Sequence, residues 1–447
     1  MALPPKILIV GGGVFGLSTA LSLRKRHPTS HITLIESSLT IPNPHGSSVD
    51  TSRIVRADYA NAAYTKLAAA AIKKWRHTPW GAEGRYTQNG LLLVYPASSA
   101  SAKGYARKSY DNVRKVEEDR DQVVFLHTQE DVQSVVPPYD NVDVAGGYVN
   151  WGSGWADAGG SVLFAKKMLD REGGVKFLTG DVSRVMYGDC DVGSKRRATG
   201  VELADGSSVT ADLVILATGA WTPALVDLRG KAVATGQAIA YIQISDAEQA
   251  ELENLPTILN FATGIFIIPP RDNLLKIARH AFGYRNPVTI PVPVPGPAAA
   301  GKVMQVSLPE TGMPIPLEGE EALRVALKQL LPRFVDRPFA QTRICWYTDT
   351  PNGDFIISYH PEYEGLFVAT GGSGHGFKFF PVIGDKIVDA LEGSLEPELQ
   401  KLWEWTEVSS TDSEDIFDGD GSRSGARNSI LKDELAKTRK AARGSAL

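Results

Sequence analysis

"KILIVGGGVFGLSTALSLRKR", residues 6–26, decides the fold. Residues 6–10 are a short apolar run rich in β-branched side chains and stopped by glycine, the pattern of a buried strand. Residues 13–26 carry helical spacing and a basic end. "HITLIE" (31–36) reads as a second strand, so the whole has the size of one right-handed βαβ crossover. Within it Gly11, Gly13 and Gly16 are spaced G-x-G-x-x-G, and Glu36 closes the second strand. Gly11 permits the tight turn, Gly13 lets a pyrophosphate approach the backbone, and Gly16 lets the helix pack on the sheet. N–H groups at the helix start, at Val14 and Phe15, are placed for phosphate. Glu36, with Ser37 beside it, is placed to accept from ribose hydroxyls. A glycine turn without a ligand is the competing explanation; it accounts for less of this context.

The fingerprint does not separate NAD from FAD. Two later stretches favour FAD. "DLVILATGAW" (212–221) is a strongly apolar strand ending at Thr218-Gly219-Ala220. "VATGGSGHGFK" (368–378) repeats strand, glycine turn and helix start, and such a helix N-terminus can face a flavin ring and stabilise its anionic reduced form. Helices are expected at 65–78, 160–174 and 320–334, and strands at 239–245 and 261–270. The proline-rich stretch 287–301 is expected to be an extended loop. Residues from about 407 on are polar and acidic, followed by a short charged helix, and read as mobile surface.

The chain has 447 residues, 43% hydrophobic and 22% charged, enough for two or three domains. A net charge of −4 argues against nucleic acid and anionic membrane as partners. No segment approaches the roughly 20 apolar residues of a membrane span. Two cysteines, Cys190 and Cys345, make no disulfide framework and suit a reducing compartment. Cys190 lies in a polar loop-like stretch and is assigned nothing. For Cys345 three roles compete: buried packing, a nucleophile or metal ligand, and a covalent attachment point. No H-x-x-x-H or C-x-x-C cluster suggests a metal.

Four stretches in order, "GSSVDTSRIVRADYA" (46–60), "LLKIARHAFG" (274–283), "CWYTDTPNGDFIISYHP" (345–361) and "GGSGHGFKF" (371–379), carry a resemblance over nearly the whole chain to about residue 400. The chain resembles the monomeric sarcosine oxidase family of FAD-dependent amine oxidases, which includes N-methyltryptophan, pipecolate, saccharopine and fructosyl amino acid oxidases, and looks like its eukaryotic, fungal branch. The resemblance implies an α/β (α+β overall) fold with two domains. A Rossmann-like FAD-binding domain takes 1–86, 151–225 and 346–405. A substrate domain, mainly antiparallel sheet flanked by helices, takes 87–150 and 226–345, and 406–447 is a polar C-terminal tail.

The resemblance also implies roles. Cys345 matches the cysteine that carries FAD through an 8α thioether, with Arg343 nearby to favour the thiolate. Arg56 and Lys378 match a pair that binds the substrate carboxylate; a salt bridge is the plainer alternative for either alone. Lys276 matches the lysine that promotes oxygen reduction, and a lysine in an apolar strand is costly. His280 falls on the same strand face and is either cavity-lining or structural. Arg53 matches an arginine close to the flavin, and Tyr347 borders the cavity or packs. The remaining FAD contacts implied are Ser47, Ser48, Thr51, Val182, Thr218, Gly219, Trp221, Gly372, Gly374, His375 and Gly376, with Arg53 and Lys378. No metal is implied.

The expected reaction is oxidation of an N-substituted (secondary amine) amino acid to an imine that hydrolyses, with O2 reduced to H2O2. The alternative is a flavin- or NAD-dependent dehydrogenase of small amines that does not use oxygen. The expected partners are a small amino acid or amine and O2, on a monomer in the cytoplasm or peroxisome. The Ser445-Ala446-Leu447 terminus is similar to a peroxisomal signal but lacks its basic middle residue.

Overall fold

Lys6–Val10 is apolar along nearly its whole length because it lies in the middle of a parallel sheet, covered on both faces. The computed structural model describes residues 3–140, 144–188, 195–294, 301–405 and 423–444, with side chains to residue 440. Cys190 and the Ser445-Ala446-Leu447 terminus lie outside the described residues. The sheet runs Ile356–Tyr359, Leu366–Thr370, Leu213–Leu216, Lys6–Val10, His31–Glu36, Val175–Thr179. All its pairings are parallel except that of Ile356–Tyr359 with Leu366–Thr370. Val10 is in register with both Ile35 and Leu216, so the first glycine loop leaves from the sheet's centre. Helices Val14–Arg26 and Phe380–Glu392 cross on one face, tied by Ser18 Oγ, which donates to Phe380 O at 2.8 Å and accepts from Gly384 N at 2.8 Å. This is the α/β, Rossmann-like half that the glycine fingerprint predicts.

A second, larger sheet centres on Val233–Gln243, with Leu274–Arg279 on one side and Phe339–Asp349 on the other, all antiparallel. It continues through Ile265–Arg271, Thr257–Asn260, Leu91–Tyr95 and Gly146–Asn150 to Val123–Leu126. Its register matters for the site. Tyr241 faces Lys276, Ile239 faces Ala278 and Arg343, and Gln237 faces Cys345. Opposed residues of an antiparallel pair share a face and alternate residues return to it. Lys276, Ala278, Tyr241, Arg343, Cys345 and Tyr347 therefore lie on one face. The other face is apolar: Ala240, Ile242, Leu275, Ile277, Ile344 and Trp346 form a core with Leu323, Ala326 and Leu327 of the helix Leu317–Leu330.

Two expectations change. Pro287–Pro291, at the start of the expected extended loop, pairs antiparallel with Val303–Ser307. Prolines are tolerated there because this is a separate two-stranded ribbon with an open edge. The reading of the C-terminal region as mobile surface also fails for its described part. Ser429–Ile430 adds to Tyr284–Arg285 as a parallel strand, and Leu431 and Leu435 of the helix Leu431–Gly444 are buried in the second core. Arg423 is buried as well. The acidic run at 406–422 lies outside the described residues.

Candidate active site

The glycine loop has the shape a dinucleotide needs. Gly11 sits at φ +106°, and a Cβ there would stand 2.5 Å from Ala217 O. A Cβ on Gly16 would stand 1.9 Å from Gly11 O, so helix and turn close only on glycine. Gly13 brings no capping side chain of its own, although Ser48 Oγ accepts from Val14 N at 3.1 Å, and no acidic residue stands in the helix's first turn. That leaves the positive end of the helix for an anion.

From this end a cavity of about 690 Å³ opens between the two sheets. Gly13, Val14, Phe15, Ser47, Ser48 and Arg53 line one part of it. Gly219 and the turn Gly372, Gly374, His375, Gly376 line another. Arg56, Lys276, His280, Tyr347 and Lys378 also reach the wall. The structure thus brings together residues from all four motif stretches. The α-helix after the second glycine turn begins at Phe380, beyond a short helical turn at Phe377–Phe379 that carries Lys378. The glycine turn, rather than that helix's first residue, faces the cavity.

Other expected cofactor residues stand outside the wall. Glu36 is largely engaged by its own loop: Oε2 accepts from Gly12 N at 2.8 Å, and Oε1 accepts from Asn43 Nδ2 at 2.7 Å and Ser37 Oγ at 3.1 Å. Thr51 is exposed and donates its N–H to Asp50. Val182 starts the strand Val182–Tyr187. Thr218 Oγ1 is 3.0 Å from Thr222 Oγ1, and Trp221 packs against the second sheet's core. Cys345 is fully buried, with Ile239, Tyr241 and Ala278 around it. The cation on its sulfur is Arg53, whose Nη2 donates to Sγ at 3.3 Å. Arg343 shares its face but is taken by the Val49 and Gly46 carbonyls, at 3.1 and 3.4 Å.

Charge converges on the cavity. Arg56 is 9% exposed, its guanidinium lies over the Tyr59 ring at 4.5 Å, and its Nη1 has no hydrogen-bond partner. Lys378 donates to Tyr59 Oη at 2.8 Å and to His375 O at 2.7 Å. Burial, then the neighbouring Arg56, pushes the Lys378 ammonium well below its ordinary value, with Asp58 opposing. His375 Nε2 stands 2.8 Å from Gly353 O, an acceptor, so Nε2 carries the proton and Nδ1 receives the Tyr59 O–H at 3.0 Å. Burial and the surrounding cations hold His280 and His375 well below the usual histidine range, so both imidazoles are neutral at pH 7. Lys276 is 2% exposed; burial pushes it down to about 8 against the pull of Asp50.

Three features escape a sequence reading. Asp50 accepts from Lys276, Arg53 and Tyr241 at once. Arg423, from beyond the acidic run, lines the cavity and pairs with buried Asp349. Asp354, in the "NGD" turn, also lines it, and burial pushes its carboxyl up to about 6. Asp50 and Asp354 fall inside the quoted motifs, the one signal that could have found them. Arg423 carries no such signal. Among the described residues, no group of three His, Cys, Asp or Glu could hold a metal, and no helix is long and apolar enough to cross a membrane.

A glycine-rich helix start, a second glycine turn and a cation-lined cavity between two sheets are the parts of a dinucleotide-binding oxidoreductase. The chain belongs to the family of FAD dependent oxidoreductases, whose model matches residues 6–390. It is 33% identical to the amino acid oxidase imqH of Aspergillus flavus, over 91% of this chain and 98% of that protein. It is 30% identical to the L-saccharopine oxidase of Schizosaccharomyces pombe, over 90% and 93%. A modified fructosyl peptide oxidase from Aspergillus nidulans, solved in complex with FSA, matches with TM-score 0.83 and 28% identity over 96% and 98% of the two chains. The chain is an FAD-dependent amine oxidase of this group, as the four motif stretches imply.

Proposed function

We propose that the cavity oxidises an N-substituted amino acid held by its carboxylate on Arg56 and Lys378. The buried, unpartnered Nη1 of Arg56 beside Lys378 supports this most strongly. A buried guanidinium without an anion is costly, and a substrate carboxylate supplies two acceptor oxygens to a planar fork. The same anion also favours the charged form of Lys378, which burial otherwise opposes. Tyr59 holds both cations in place, one against its ring and one on its hydroxyl. Neutral His280 adds no charge to the cavity and its ring can accept an N–H from the substrate amine, whereas both nitrogens of neutral His375 are already engaged, by Gly353 O and Tyr59 Oη.

The chemistry that bound FAD would supply is acceptance of a hydride equivalent from the amine's carbon and its delivery as electrons to O2. Gly13 to Phe15 would hold its pyrophosphate, and Ser47, Ser48, Arg53 and the Gly372–Gly376 turn its distal half. Lys276 would supply the cation for oxygen reduction, and Cys345, under Arg53, the tether to the cofactor. A peroxide-coupled screen of N-methyl, cyclic and N-carboxyalkyl amino acids tests the proposal. Peroxide with such compounds, and little with their decarboxylated amines, is expected. Equal peroxide from both sets would remove the carboxylate from the account.

A further inference from the structure

We propose that Asp50 is the positioning residue of the cavity's oxygen-side wall: its one carboxylate, shared by Lys276 and Arg53, aims the first into the cavity and holds the second on the Cys345 sulfur. The side chain of Asp50 has no exposed surface, and its acceptor capacity is filled. Oδ2 accepts from Lys276 Nζ at 2.8 Å and from Arg53 Nη1. Oδ1 accepts from Thr51 N at 2.8 Å and from Tyr241 Oη. A carboxylate has about four lone-pair sites, and these four close donors occupy them, with Thr51 Oγ1 more distant at 3.5 Å from Oδ1.

The consequences fall on two groups. Lys276 gives one N–H to Asp50 and one to Ser52 O at 2.7 Å. Its third N–H is left for the cavity that Lys276 lines. Arg53, with Nη1 on Asp50, turns Nη2 to Ser47 O at 3.0 Å and to Cys345 Sγ. The groups facing Lys276 are Asp50, Arg53 and Cys345, with Tyr241 behind Asp50 and the Phe266 ring 5.9 Å away. Asp50, the Cys345 sulfur and the Ser52 carbonyl favour the ammonium; burial and Arg53 oppose it. For Asp50, burial favours the neutral acid, yet Arg53 and Lys276 outweigh it and keep the carboxylate ionised. Burial is the largest influence on Lys276, and Asp50, which it shares with Arg53, is the largest that opposes it.

The inference rests on the proposed role of Lys276, but its test does not use oxygen. Flavin-loaded protein is labelled with 13Cε-lysine, and the Lys276 resonance is assigned by its loss in Lys276→Met. Its titration midpoint is then compared across variants. In Asp50→Asn the midpoint should fall by at least about one unit, the size of an opposite charge at contact distance. In Arg53→Met it should rise, because Lys276 is then the carboxylate's one cation and a like charge is gone. These opposite directions distinguish sharing from mere packing, and the Arg53 variant carries the test if Asp50→Asn does not fold. An unchanged midpoint in both, or a fall in Arg53→Met, overturns the proposal. Lys276→Met with normal reoxidation, beside titrations as predicted, would overturn the oxygen role and leave Asp50's stand.

Discussion

Arg423 Nη2 donates to Asp349 Oδ1 at 2.8 Å, and its Nη1 reaches Asp349 Oδ2 at 3.1 Å. Asp349 ends the strand that carries Cys345 and Tyr347. Arg423 also donates to Ala281 O at 2.8 Å and to Ser373 O at 3.2 Å. The C-terminal segment therefore clasps three pieces of the cavity wall: the Cys345 strand, the end of the Lys276 strand and the second glycine turn.

Arg423→Met leaves Asp349 buried without its cation. Removing one partner of such a pair typically costs about 3–5 kcal/mol. Thermal unfolding should drop by several degrees, and flavin retention should weaken with it. An unaltered melting temperature would mean that the clasp adds nothing to the fold.

Covalent attachment of FAD at Cys345 is checked by acid precipitation. The yellow colour should stay with the pellet in wild type and move to the supernatant in Cys345→Ala. Arg53→Met should load flavin but attach it slowly, because the cation on the sulfur is Arg53. Colour in the supernatant of wild type would show that the cofactor is not tethered.

Lys276→Met should leave anaerobic flavin reduction by substrate intact. Its reoxidation by O2 should slow by at least about tenfold, or about 1.4 kcal/mol of barrier. In wild type the same step should weaken as pH rises past about 8, because Lys276 is a cation below that value and neutral above it. Substrate carboxylate binding should weaken in the same direction, since burial and Arg56 depress Lys378. A reoxidation rate that is flat across this range, and the same in the variant, would assign Lys276 to structure alone.

What could be read from the chain follows distance along it. The first βαβ unit was legible because its signals are local: period, glycine spacing and strand ends lie within one crossover. Lys276 stood out because a lysine inside an apolar run needs a reason. Arg343, two residues from Cys345, was expected to favour its thiolate, but in the fold the carbonyls of Gly46 and Val49 occupy Arg343, and Arg53, distant in the chain, reaches the sulfur instead. Asp50 was hidden because its partners, Tyr241 and Lys276, are brought beside it by strand register far along the chain. Arg423 was hidden by composition. It follows an acidic, polar run that suggests solvent, and only its buried partner Asp349 accounts for its place in the core.

The carboxylate clamp is the centre of the account, and stopped-flow reduction of the flavin without oxygen tests it most directly. An N-methyl amino acid and its decarboxylated amine are compared in wild type, Arg56→Met and Lys378→Met. Each variant should bind the amino acid more weakly by about 3 kcal/mol, a factor above about 100, while the amine changes little. Equal losses for both compounds in both variants would show that Arg56 and Lys378 serve the fold or the flavin, and the clamp would be wrong.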